Sequence, residues 1–387
     1  MSVDIISTWR DPELARILID GIKERATYLA SLSGSNAEVI KIMEVCGTHT
    51  MAIAKWGLRS VFPENIELIS GPGCPVCVTA NHDLDLAIEL AKQPEVIVAT
   101  FGDMMKVPGS YESLSEVKAK GHDIRIVYSP LDALDLAEKE SEKQVIFIGV
   151  GFETTAPLIA ATVKRAASMG LENFSVYAIH KTVPIALRVL ADDPEVQVAG
   201  LILPGHVSTI IGLEPYQFLA RDFGVPGVIA GFEPVDILQA MLMLLDQMIE
   251  LAKAQTAGDK DVQASIQLGY TRGVREKGNP TAQAVIEEVF EACDAQWRGL
   301  GLIPDTGLKL RKQFASFDAR QRFKVELPPT VEPKGCQCGD ILRGIMTPHE
   351  CRLFARPCSP ENPIGPCMVS SEGSCAAWYR YYGSPES

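Results

Sequence analysis

Apolar positions along the chain follow two alternating rhythms. Residues 12–33 repeat them at helical spacing and predict an amphipathic helix. From residue 39 onward, short apolar and β-branched runs take over. They predict strands at "VIKIMEV" (39–45), "IELIS" (66–70), "EVIVATF" (95–101), "IRIVY" (124–128), "QVIFIGV" (144–150), "FSVYAIH" (174–180), "VAGLILP" (198–204) and "GVIAG" (227–231). Helical patterns lie between them, at 81–93, 129–141 and 156–170. Several strands are almost wholly apolar, as expected when helices cover both faces of a parallel sheet.

The pattern predicts an α/β fold with two doubly wound parallel-sheet domains. The boundary is placed between "IRIVYSPLD" and "QVIFIGVGFETT", within 128–143. Residues 235–256 predict a long helix closing the second domain, and 280–297 read as helical again. Near residue 328 regular periodicity ends, and six of the ten cysteines fall within 336–375. The expected division is 1–135 for the first domain, 136–300 for the second, and 301–387 for a small cysteine-rich module.

Composition narrows the function. The 387 residues are 47% hydrophobic and 22% charged, which is ordinary for a globular chain and enough for a large core. A net charge of −13 excludes nucleic acid as the main partner, because phosphate binding needs a basic face. The N-terminal stretch has early acids and no long apolar run, unlike a secretory signal. No window reaches ~18 uninterrupted apolar residues, so no membrane span is expected. These features predict a cytoplasmic protein, where clustered cysteines read as metal or redox sites rather than staples.

The unusual loops all follow predicted strands, at the edge where open parallel sheets carry their sites. "CGTHT" holds Cys46 and His49, a soft thiolate and an imidazole, and both suit iron, zinc or copper. A helix N-terminus beyond Cys46 is expected to lower its pKa. The structural alternative is a buried cysteine in a capping turn. "GPGCPVC" holds Cys74 and Cys77 in a backbone stiffened by Pro72, Pro75, Gly71 and Gly73. Their spacing allows dithiol–disulfide exchange, and the lack of a second C-x-x-C favours redox over zinc. "GFETT" offers Glu153 as a proton carrier, with helix capping as the plainer alternative. Asp103 is either a cap or an acid facing a cleft. His180, His206 and Ser208 read singly as satisfied structural residues, and Cys293 as a core thiol in a helix.

The terminal cysteines carry the strongest signal. Cys338, Cys351, Cys358 and Cys375 are separated by 12, 6 and 16 residues, with Cys336 and Cys367 as extras. Wide, uneven spacing favours an iron–sulfur cluster over a zinc knuckle.

Together, "CGTHT", "GPGCPVC", "TFGDMMKVPGS", "GFETTAP", "PGHVS" and the terminal "CGDIL…C…C…MVSSEG-C" resemble the HypD family of nickel–iron hydrogenase maturation factors, from about residue 12 to 380. The resemblance implies two α/β domains and a C-terminal module holding a 4Fe-4S cluster. It implies a scaffold that works with the small chaperone HypC and the cyanide donor HypE. On it the Fe(CN)2CO unit of the hydrogenase large subunit is assembled. Cys46 would bind that iron, and Cys74 and Cys77 would form the redox pair. Cys338, Cys351, Cys358 and Cys375 would ligate the cluster, with Cys336 ranked below Cys338. His49, Asp103 and Glu153 would supply hydrogen bonds and protons. The rival expectations are a free-standing thiol–disulfide oxidoreductase of the ferredoxin:thioredoxin reductase type, and a zinc-stabilised binding scaffold without redox activity.

Overall fold

The computed structural model describes residues 8–32 and 39–383. Residue 33 of the expected first helix, residues 1–7 of the N-terminal stretch and residues 384–387 of the expected module lie outside them. All eight predicted runs contain a strand: β1 (Ile40–Glu44), β2 (Ile66–Ser70), β3 (Val96–Thr100), β4 (Asp123–Ile126), β5 (Gln144–Gly149), β6 (Phe174–Ala178), β7 (Gly200–Pro204) and β8 (Gly227–Ala230). Three shorter or later strands follow: β9 (Ile266–Leu268), β10 (Phe290–Trp297) and β11 (Gly301–Leu310).

Two wholly parallel sheets form. The first has the order β2-β1-β7-β8-β9 and the second β4-β3-β5-β6. The near-continuous apolar strands occupy interior positions: every residue of β3 and of β7 is buried. The helices Pro12–Leu32 and Pro234–Ala257 cover one face of the first sheet. Ile22, Ala26, Met241 and Leu244 pack there against Ile42 and Ile202.

Sheet membership corrects the expected division. A boundary at 135 would separate β3 and β4 from β5 and β6, which share one sheet. The chain lays down β1 and β2, crosses to build the whole second sheet, then returns to complete the first with β7, β8 and β9. A boundary at 300 would likewise cut a hairpin, because β10 pairs antiparallel with β11. The helix expected over 280–297 stops at Val289. Beyond it "FEACDAQW" buries Phe290 and Trp297, leaves Glu291, Cys293 and Ala295 half-buried and exposes Ala292, Asp294 and Gln296 between them, a strand rhythm rather than a helical one.

The C-terminal segment is not separate from the rest. Its helix Ser374–Tyr382 packs on the helix Gly47–Lys55, and Arg59 lies over the Trp378 ring at 5.3 Å. Buried Cys338, Cys351, Cys358, Cys367 and Cys375 share one continuous core with Met43, Ile69, Cys74 and Cys77. Among the described residues, no helix is long and apolar enough to cross a membrane.

Candidate functional site

The site is built at the carboxyl edge of the first sheet. β1 ends at Glu44, and the chain turns into the helix Gly47–Lys55 with Cys46 as its extended N-cap residue. β2 ends at Ser70, and its loop brings Cys74 to the N-cap of the single turn Pro75–Val78. The two loops interlock. The Gly71 amide donates to Glu44 O (2.8 Å), and the Gly47 amide to Gly73 O (2.9 Å). A Cβ at Gly73 would collide with the Cys46 backbone, so only glycine permits this approach. Beneath them, buried Glu44 accepts from the Thr50 hydroxyl (2.6 Å) and the Cys46 amide (3.3 Å). Burial holds the Glu44 carboxyl up at about 7.

Cys46 departs from expectation. The Thr48 and His49 amides at the helix N-terminus favour its thiolate. Burial and the nearby Glu372 carboxylate outweigh them and push the thiol up to about 12. Glu372 belongs to the terminal "SSEG" turn and accepts from the Thr48 hydroxyl at 2.6 Å. A Cβ at Gly47 would strike the Glu372 side chain. The cysteine-rich segment thus supplies an acid directly beside Cys46. Nothing in the local pattern around Glu372 marks it for this place.

His49 is buried and stacked 4.7 Å from the Phe232 ring, and its Nε2 lies 2.9 Å from Gly231 O. Burial lowers it to about 4, so the ring is neutral and donates to that carbonyl. Its Nδ1 has no partner. His206 stacks on the other part of the same aromatic cluster, 3.8 Å from Phe232. Ser208 donates to Pro204 O as a structural hydroxyl.

Cys74 and Cys77 form a disulfide with a Cα–Cα distance of 5.2 Å, and both are fully buried. The turn that carries them packs on Pro366–Met368 of the terminal segment. There six cysteines line one small cavity whose remaining wall is Ile341, Leu353, Phe354, Gly365 and Met368. Cys338, expected among the cluster ligands, is instead bonded to Cys367, which removes it from the free thiols. Cys336, Cys351, Cys358 and Cys375 are unpaired. Burial raises the cost of ionising Cys336 and Cys375, and the neighbouring Cys351 and Cys358 add to it at both. Among the described residues no three His, Cys, Asp or Glu side chains converge on a point suited to one metal ion. A four-iron cluster does not require this, since each thiolate binds its own iron. Sulfur donors, an apolar wall and the Ile364 amide donating to Cys358 Sγ (3.4 Å) suit such a group.

The second sheet contributes acids. Glu153 follows β5; its Oε1 caps the helix Val183–Ala191 by accepting from the Val183 amide (2.9 Å). Its Oε2 is buried without a partner, and burial raises the carboxyl to about 7. Fully buried Tyr216 is close enough to sense the charge of both Glu153 and Cys46. Burial raises the pKa of Glu372, and Asp103, exposed on the turn after β3, adds to that rise. His180 lies apart, edge-on to Phe290, with both ring nitrogens buried and unpartnered. Cys293 is half-buried on β10 rather than in a helix.

The arrangement defines a class: an α/β protein whose parallel-sheet edges present one buried thiol, a buried dithiol pair and a cysteine-lined cavity. A family model described as HypD, "Hydrogenase formation hypA family", matches residues 19–382. The chain is 46% identical to the hydrogenase maturation factor HypD of Rhodobacter capsulatus over 98% of both chains. It is 43% identical to the HypD of Escherichia coli K12 over 97% of both. It is 46% identical to the hydrogenase expression/formation protein HupD of Azotobacter chroococcum, over 89% of this chain and 90% of that one. The chain belongs to the HypD family of hydrogenase maturation factors.

Proposed function

We propose that this chain is a scaffold on which the Fe(CN)2CO unit of a nickel–iron hydrogenase is assembled, with a HypC-type chaperone and a HypE-type cyanide donor as partners. One observation carries the reading. The Cys74–Cys77 pair and the cysteine-lined cavity share one continuous core, and the loop of buried Cys46 is locked to the Cys74–Cys77 loop through the Gly47 amide and Gly73 O at the same sheet edge.

The iron is the cargo, and Cys46 is its ligand here, alongside a cysteine of the chaperone. Binding requires the Cys46 thiol to lose a proton that burial makes it hold tightly. The Thr48 and His49 amides then steady the thiolate. Glu372, beside it through Thr48, and Glu153, with its free oxygen and a pKa near neutrality, are the acids able to take up and return protons. Neutral His49 shapes the pocket through Gly231 and Phe232 and brings no charge.

Reducing the Cys74–Cys77 bond takes two electrons and two protons and yields two thiols. Cys336, Cys351, Cys358 and Cys375 would hold a 4Fe-4S cluster, which when bound supplies electrons one at a time. Burial of both disulfide sulfurs speaks against a free-standing oxidoreductase for protein substrates, which needs an accessible sulfur.

The test is anaerobic purification with visible absorption and iron and sulfide analysis, on wild type and Cys358→Ala. A brown protein with about four irons and four sulfides per chain, lost in the variant, is expected. A colourless wild-type protein carrying zinc would remove the electron-supplying part of this reading.

A further inference from the structure

The tip of the β10–β11 hairpin is wedged between the dithiol turn and the cysteine-lined cavity. On one side, Trp297 makes a bridge with Thr79, and the Arg298 amide donates to Val78 O (2.9 Å). On the other, Gly299, at φ +81°, lies against the Gly339 backbone, where a Cβ would overlap Gly339 Cα. Arg298 sits at the centre and is 6% exposed. One of its guanidinium nitrogens donates to Thr79 O (3.0 Å) and Asn81 Oδ1 (2.5 Å), and the other to Glu332 (2.7 Å). Its Nε is buried without a partner. Arg298 also lines the large cavity that opens on Cys336 and Cys338. Asn81 doubles the clasp by donating to Val331 O (2.8 Å).

Fold stability alone does not account for a buried guanidinium here, since a buried cation is costly and gains little over an apolar substitute. Its location gives it a second consequence. It bonds the carbonyl of Thr79, two residues after Cys77 in sequence, and lies close enough to Cys336 to sense its charge, where negative charge accumulates on reduction. A fixed cation favours the more negative state of a neighbouring centre.

We propose that Arg298 is a positioning residue that raises the reduction potential of the centre held by the terminal cysteines while fixing the dithiol turn against it. The proposal rests on the redox reading above. Its electrons come from a low-potential one-electron donor, for which dithionite substitutes in the test. On reduction the Cys74–Cys77 bond breaks, taking up two electrons and two protons; the centre at Cys336 takes up one electron.

The experiment is a potentiometric titration of the holoprotein, followed by electron paramagnetic resonance for the cysteine-bound centre and by thiol labelling for Cys74 and Cys77. The variants are Arg298→Met, Arg298→Lys and Glu332→Gln. Arg298→Met is expected to shift the resonance midpoint to lower potential, and Arg298→Lys to restore most of it. Glu332 is largely exposed, so Glu332→Gln keeps the fold and, by removing a compensating acid, is expected to shift the midpoint upward. If Arg298→Met does not fold, the Glu332→Gln shift decides. Midpoints equal to wild type in the folded variants overturn the proposal and leave the redox reading standing. Absence of any titrating centre in wild type overturns the redox reading itself.

Discussion

The two parallel sheets share an architecture and differ in what their carboxyl edges carry. The first presents sulfur and imidazole: Cys46, Cys74, Cys77, His49 and His206. The second presents carboxyls and nitrogen bases: Asp103, Glu153, His180 and Lys181. Buried Lys181 is held 3.5 Å from Asp83. The difference follows from what each edge packs against. The first is covered by the terminal segment through Glu372, Trp378 and Pro366–Met368, and Cys46, Cys74, Cys77 and His49 are buried there while His206 stays exposed. The second faces the hairpin and a cavity of mixed charge at Asp83, Lys181, Asp318 and Arg320. One fold therefore gives its two sheet edges different side chains and different covers.

Four changes break or sharpen this contrast. Cys46→Ala has the largest expected effect, complete loss of iron retained with a chaperone partner while the visible absorption of the terminal module persists. Iron analysis of the co-purified complex checks it, and retained iron would remove the first edge's claim on the cargo. Glu153→Gln addresses the second edge. Its folded pKa of about 7 lies above the unfolded value of 4.5, so its favourable contribution is complete below 4.5 and is lost as pH rises through 7. Above pH 7 the ionised group costs on the order of 3 kcal/mol, which glutamine lacks. Urea unfolding should show a stability gain for the variant that grows from pH 5 to pH 8; parallel curves would contradict the assigned burial. His49 runs the other way: with a folded pKa of about 4, its contribution is present above 6.5 and lost as pH falls through 4.

Gly73→Ala tests the interlock of the two sulfur loops. Forcing a methyl against the Cys46 backbone should cost about 2 kcal/mol of stability and slow iron loading. An unchanged melting temperature would show that the loops can part. Cys293→Ser has the smallest expected effect, less than about 0.5 kcal/mol with iron and absorption unaltered. A loss of either would carry sulfur chemistry over to the second edge.

Local pattern made all eight long-recognised strands and the positions of the loops legible in the sequence. Strand order was not, because nothing near "VIKIMEV" tells that β1 pairs with β7 some 160 residues later. The hairpin is not legible because "FEACDAQW" has no β-branched residue and follows a true helix without a breaker. At the site, the tight C-x-x-C and "CGTHT" declared themselves through rigid, unusual composition. The pairing of Cys338 with Cys367 did not, since it joins residues 29 apart and depends on Gly373 lying flat against the Cys367 backbone. Glu372 and Arg298 were silent for the same reason: each is an ordinary charged residue until distant segments meet around it.

The return of the chain to the first sheet also sets an order on the ribosome. The second sheet is contiguous from β3 to β6, so its pairing partners have all emerged once residue 178 has. β1 has only β2 beside it until β7 and β8 are made, and the loop carrying Cys46 gains its Phe232 and Glu372 neighbours later still. The Cys46 thiol gains its full surroundings only after Glu372 has been made. A nascent chain short of residue 372 would display that cysteine without the acid and the cover that surround it.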